Sequence, residues 1–433
     1  MAKRVIEGLS LLGRPPRAEF EPKAPIVPLS DGLVLDWNIM QSPTLILGSV
    51  GSGKTFLLSE IMDHVLEYVE RLHHNAVIFC VKEDLLRYAK EGDIVISLAG
   101  TDPACCWNVF SEMRASKYPE ITAREIAKIL FREQESSTMP FFVDAARDIL
   151  AQSMICMYND GLDYGLHYSN AELIEFLERT PMHRRDETEL PDWHELAVDY
   201  PEYFRHVEDY LGNDLGQGYA CLSEIRTLIA SIFGSFRKAG GTFSAISALK
   251  EGKKIFLCYD QVNASESAHR IYSCILELLF RHACDKDNGR ETWFFIDEGS
   301  LLPRSQALID AMSLGREHGF RLFMCLQSAQ LMTRHHQGHE AKALLSLFPN
   351  LIIMRVQDSM SRQLLADRYG KALYSYSYTS PMQKIVQSER ERSVVSDEDF
   401  APLFKQGNAI FSLPALSPSP FYYNGYRKEL EKA

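Results

Sequence analysis

An eight-residue stretch, Gly48-Ser49-Val50-Gly51-Ser52-Gly53-Lys54-Thr55, constrains this chain more than any other feature. It is a complete G-x-x-x-x-G-K-[ST] phosphate loop, a pattern expected by chance in on the order of one in a hundred chains of such length. Its flanks have the form that the loop requires. Thr44-Leu45-Ile46-Leu47 reads as a short buried strand, and Leu57, Leu58, Ile61, Met62, Val65, Leu66 and Val69 recur at the spacing of one helix face. Glycines let the backbone turn tightly enough for its N–H groups to cradle phosphate oxygens at the positive end of the following helix. The stretch therefore predicts a nucleoside triphosphate site for ATP and Mg2+, with Lys54 on the β- and γ-phosphates and Thr55 on the metal.

Composition narrows the setting. A chain of 433 residues, 46% hydrophobic and 24% charged, has room for a large parallel sheet and further compact regions. It contains no apolar run near the ~18 residues of a membrane span, and its start, MAKRVIEGLSLLG, lacks a secretory core. The expected location is cytoplasmic. The nine cysteines follow no framework, Cys105-Cys106 lack zinc-site spacing, and His335, His336 and His339 fit a solvated loop better than a metal site. The formal charge of −12 is unevenly spread: from Asp160 to Asp214 there are 15 Asp/Glu against 4 Arg and no Lys, a balance of −11. The rest of the chain is therefore nearly neutral.

Strand-like runs recur at 76–81, 94–98, 255–259, 293–296, 322–326, 351–354 and 409–411, with helical spans between most of them. That alternation predicts an α/β fold, a RecA-like P-loop NTPase whose mostly parallel central sheet is flanked by helices. Between about 112 and 236 helical periodicity dominates, as in Leu222, Ile225, Leu228, Ile229, Ile232 and Phe233. The expected organisation is an extended lead-in over 1–30, a nucleotide-binding domain over 31–111 and 237–433, and an all-α acidic inserted domain over 112–236.

A phosphate loop needs a second magnesium ligand and a group that activates water. The run Thr292-Trp293-Phe294-Phe295-Ile296 ends in Asp297-Glu298, so Asp297 is the expected metal ligand and Glu298 the expected base. The alternative is that the two acids merely open a solvated turn. Gln327, after the strand LFMCL, is placed to sense the γ-phosphate. Arg316 is a candidate to neutralise transition-state charge across a subunit boundary, and on residue chemistry alone it is as readily an exposed helix arginine.

In this order the motifs resemble those of the type IV coupling proteins, the TraD/TraG-like ATPases of conjugation and type IV secretion. The resemblance runs from about Pro28 onward. VIFCVKEDLL is similar to the family's second-strand signature, keeping Lys82, Asp84 and Leu85 but with Cys80 where an Asp is usual and Glu83 for the glycine. Trp107-Asn108 resembles its Trp-Asn element, and FFIDEGSLL, LFMCLQSAQL and ERERSVVSDEDFAPLFKQGNAIF follow in the family's order. The usual pair of N-terminal transmembrane helices is absent, and MTRHHQG replaces the usual Tyr-Gly.

The resemblance implies an ATPase that works in a ring, a hexamer, translocating DNA, with Arg316 as the finger in trans and Gln327 as the third-motif glutamine. It implies a relaxase or secretion-system components as partners; the absent membrane helices leave open association with a separate membrane subunit, peripheral at the inner face of the cell membrane, or membership of a mobile element of different design. Candidate cations for gripping DNA are Arg304, Arg334, Lys342 and Lys253-Lys254. The acidic insert would face a basic partner or simply be a solvated surface. Two other readings stay open: another ring ATPase, a helicase or genome-packaging motor, and a non-translocating adaptor switched by ATP.

Overall fold

The computed structural model describes residues 2–19, 21–81, 83–96, 106–132, 140–179, 200–204, 241–259, 266–285, 289–334, 338–379 and 385–425. Its strands in chain order are β1 (Ala2–Glu7), β2 (Val27–Pro28), β3 (Val34–Leu35), β4 (Thr44–Leu47), β5 (Asn75–Cys80), β6 (Ile94–Ile96), β7 (Lys254–Cys258), β8 (Thr292–Ile296), β9 (Phe320–Leu326), β10 (Asn350–Ile353), β11 (Lys371–Thr379), β12 (Ile385–Ser393), β13 (Asn408–Ser412) and β14 (Phe421–Asn424). The chain forms two units, Met1–Cys80 with Ala283–Ala433, and Val81–His282.

In the first unit, strands β14-β13-β10-β4-β9-β8-β5 lie side by side in that order. The run from β10 to β5 is parallel, and β13 and β14 add an antiparallel edge. Every residue of β4, β5, β8, β9 and β10 is buried. That is why they read as continuous apolar runs and not as alternating ones: a parallel sheet is covered on both faces. The helix Lys54–Leu72 buries all seven of the apolar positions that its sequence spacing selects. All the expected strands are present within two residues of their expected bounds, residues 97 and 98 lying outside the described set.

Sequence reasoning missed a second sheet. β1 pairs antiparallel with β11, which pairs with β12. Residues 2–7 of the expected lead-in thus form a strand of this unit. The alternation in Leu373-Tyr374-Ser375-Tyr376 is a strand signal, but nothing local tells it which partner to take.

The second unit holds the parallel pair β6 and β7 and is otherwise mainly helical, with Val109–Ala115, Pro119–Leu130, Pro140–Tyr164, Asn170–Arg179, Pro201–Phe204, Ala245–Glu251 and Glu266–His282. The expected helical stretch around Leu222–Phe233, much of the acidic segment, Lys82, and His335 and His336 lie outside the described residues. Trp107-Asn108 proves to be a packing centre. Asn108 caps the helix Val109–Ala115, its oxygen accepting from Phe110 and Ser111 N–H, while its amide donates to Gly241 and Tyr168 carbonyls.

Behind it the fully buried Glu112 carboxylate accepts from Trp107 Nε1 at 2.9 Å, Ser244 Oγ at 2.6 Å, and the Ala245 and Ile246 N–H groups at 2.6 and 3.1 Å. Burial pushes this carboxyl up, against the pull of those four donors. Because each oxygen accepts from two donors, Glu112→Gln turns an amide N–H2 against at least one pair of them. The expected cost is about 3 kcal/mol in denaturant unfolding, and an unchanged unfolding midpoint would show that this hub does not hold the unit together.

Lys254 corrects one expectation. It is 6% exposed and pairs with Asp93 at 3.0 Å, because it opens a buried strand where a lone ammonium could not persist, so it is not a free cation for DNA. Arg304 pairs with Glu340 at 2.8 Å but stays exposed, and Lys342 is exposed. The Arg334 side chain lies outside the described residues.

Candidate functional site

Strand register assembles the site, all of it within the first unit. Leu47 of β4 sits beside Leu326 of β9, and Ile296 of β8 beside Met324 of β9. The next residues along these strands are Gly48, Gln327 and Asp297. Loop, glutamine and carboxylate pair therefore leave the sheet along one edge, its carboxyl end, where parallel α/β sheets place ligands.

The loop's curl explains its glycines. A Cβ on Gly48 would lie 2.3 Å from Ser52 Oγ and 3.0 Å from Met354 Cβ, so the loop closes back on itself only without a side chain there. Gly53, with φ of 105°, starts the helix Lys54–Leu72 in a left-handed conformation and is backed by Gly407, whose N–H donates to the Ser52 carbonyl at 3.0 Å. Lys54 Nζ folds over the loop's beginning, donating to the Gly48 carbonyl at 2.5 Å and the Ser49 carbonyl at 3.3 Å. Val50, at the tip, is 71% exposed, and the buried Ser52 hydroxyl has no hydrogen-bond partner among the described residues.

The two expected metal ligands meet directly. Thr55 Oγ1 donates to Asp297 Oδ1 at 3.0 Å. Two hard oxygens that close match neighbouring positions on a small octahedral cation, which usually takes one or two protein oxygens and completes its shell with substrate phosphates and water. The residues present therefore fit Mg2+. Fully buried Cys325 on β9 registers the same convergence: burial, then the Asp297 carboxylate, push its thiol well above the usual range, with Lys54 opposing and Glu298 adding to the rise. That thiol stays neutral and serves as packing beneath the site.

Glu298, 9% exposed, caps the short turn Gly299–Leu301, its Oε1 accepting from Ser300 N–H at 3.3 Å and Ser300 Oγ at 2.5 Å. The carboxylate expected to act as base is thus held as the cap of the turn that follows β8. Gln327 is exposed at the end of β9, level with Gly48.

Arg316 is not brought to this edge. It lies in the turn Gly315–His318 before β9, so the length of the strand, roughly 20 Å, separates it from the loop of its own chain. Its Nε donates to Gln41 Oε1 at 3.2 Å, and its carbonyl accepts from Arg321 Nη1 at 3.0 Å. Arg321 is 3% exposed and pairs with Glu291 at 2.7 Å, which makes the turn's footing rigid.

Sequence reasoning missed three contributors. Ser300 positions Glu298. Gly407, in the run ERERSVVSDEDFAPLFKQGNAIF, backs the loop-to-helix junction. Arg355, just past β10, reaches the loop with Nε 3.3 Å from Ser49 Oγ and Nη2 3.1 Å from the Val50 carbonyl. The signal for Arg355 was available, since a polar residue ending a buried parallel strand beside the loop strand falls on the ligand edge.

Comparison with known proteins follows the same lines. The family model of the type IV secretion-system coupling protein DNA-binding domain matches residues 29–187 and 220–407. Among solved structures, the unbound bacterial conjugative coupling protein TrwBdeltaN70 is 17% identical, with a TM-score of 0.75 over 98% of this chain and 94% of its own. The plasmid coupling protein TrwB in complex with ADP and Mg2+ is 16% identical, with a TM-score of 0.71 over 98% of this chain and 95% of its own. VirB4 of Thermoanaerobacter pseudethanolicus is 12% identical, with a TM-score of 0.55 over 96% of this chain and all of its own. At such identities the likeness is one of fold. No curated protein matches the chain.

Proposed function

The chain belongs to the type IV secretion-system coupling proteins, and from that premise we propose that it is an ATPase that hydrolyses ATP with Mg2+ at subunit boundaries of a ring, a hexamer, to move or deliver DNA. The observation that carries the reading is the 3.0 Å contact between Thr55 and Asp297, which joins the phosphate loop to the acidic strand end. In this reading the backbone from Gly48 to Gly53 holds the phosphates and Lys54 binds the β- and γ-phosphates. Thr55 and Asp297 hold Mg2+, which neutralises charge on the phosphate oxygens. Glu298 orients the attacking water and accepts its proton. Gln327 senses the γ-phosphate, and Arg316 acts on the site of the neighbouring protomer.

Residues 112–236 form the all-α inserted domain in this proposal, and its acidic surface faces a basic partner, a relaxase or another secretion component. Among the described residues no helix is long and apolar enough to cross a membrane. Contact with the inner face of the membrane is proposed to run through a separate subunit.

The test is ATP turnover with and without single- and double-stranded DNA across a salt series. Stimulation by DNA is expected, the DNA concentration that half-stimulates turnover rising steeply with salt as phosphate contacts are lost, and the form of DNA that stimulates more reports strandedness. Turnover indifferent to DNA at every salt concentration, but raised by a basic protein, would favour an ATP-switched adaptor.

A further inference from the structure

Arg355 stands where a second cation can reach the nucleotide from within the same chain. Its backbone is fixed by the sheet: Met354 N–H donates to the Leu47 carbonyl at 2.8 Å, and Ser49 N–H donates to the Arg355 carbonyl at 2.7 Å. The pairing of β10 with β4 thus continues into the phosphate loop and delivers Arg355 alongside Ser49. Two positive heads then converge on that one residue, Lys54 Nζ at the Ser49 carbonyl and Arg355 Nε at the Ser49 hydroxyl. Lys54 marks the β,γ end of a bound triphosphate, so the guanidinium lies at that end too.

Its bonds here are to neutral acceptors, a hydroxyl at 3.3 Å and a carbonyl at 3.1 Å, and the side chain remains exposed. They engage two of the five N–H donors of a guanidinium. Charge-assisted bonds to phosphate are shorter and about twice as strong as neutral ones, so an arriving phosphoryl group would outcompete the loop carbonyl for this head.

We propose that Arg355 binds the terminal phosphate of the nucleotide in cis and makes the site prefer triphosphate over diphosphate. The proposal deepens the ATPase reading and rests on it. The experiment titrates a non-hydrolysable ATP analogue and ADP, each with Mg2+, against the full chain and its Arg355→Ala, Arg355→Lys and Lys54→Ala variants. Arg355→Ala is expected to weaken the analogue about 10- to 100-fold while leaving ADP unchanged. Arg355→Lys should recover part of the loss, a lysine keeping the charge without the fork.

An equal loss for both nucleotides would make Arg355 a brace for the loop and overturn the proposal, as would no change for either. Lys54→Ala should weaken both. If the unaltered chain bound neither nucleotide, the phosphate-loop reading itself would fall. An unchanged preference in Arg355→Ala, with ADP still bound, would remove the role of Arg355 alone.

Discussion

Arg316→Ala is expected to lower ATP turnover of the assembled ring by about 10³- to 10⁵-fold, the range that a transition-state arginine supplies in phosphoryl transfer. Nucleotide binding should be untouched. The expectation follows from position: Arg316 precedes β9, whereas the phosphate loop follows the parallel neighbour β4, so the two lie at opposite ends of the same strands. A side chain cannot span that length, and a neighbouring protomer can supply what its own chain cannot. The signature is complementation. In rings mixed from Arg316→Ala and Lys54→Ala protomers, some boundaries pair an intact loop with an intact arginine, and turnover should partly return. Mixtures that stay inactive at every ratio would count against action in trans and leave Arg316 as a surface arginine held by Gln41.

Glu298→Gln should bind ATP normally and hydrolyse it about 10²- to 10⁴-fold more slowly, the usual loss when a positioned general base is removed. The substitution is unusually clean here. Glu298 also caps the turn that follows β8, and the amide oxygen of glutamine can still accept from Ser300 N–H and Oγ. The cap survives while the basic oxygen is lost. Ser300→Ala provides the companion measurement: it removes the hydroxyl that aims the carboxylate, so kcat should fall less than in Glu298→Gln, with KM unchanged. Turnover at the unaltered rate in Glu298→Gln would leave the residue as a turn cap only.

The phosphate loop, the strand ending in Asp297-Glu298 and the helix with seven buried apolar positions were legible because each is written in contiguous residues. Their chemistry depends on local spacing: a tight turn, a 3.6-residue period, a strand of continuous apolar character. Even Gln327 and Arg316 could be chosen, since Gln327 directly follows the strand Phe320–Leu326 and Arg316 lies in the turn just before it. Their separation to opposite ends of that strand follows from its length.

The rest depended on closing long loops. Thr55 meets Asp297 across 242 positions, and Arg355 meets Ser49 across 306. β1 finds β11, Glu112 finds the Ser244–Ile246 turn, and Lys254 finds Asp93. Periodicity says that a segment will bury one face or both; it carries no record of which distant segment will cover it or in what register. Contiguous residues were enough to predict a phosphate loop for a nucleoside triphosphate and an alternation of strands with helices. Tertiary structure alone decided which charges meet the phosphate loop, because those meetings are set by strand order and register across the sheet.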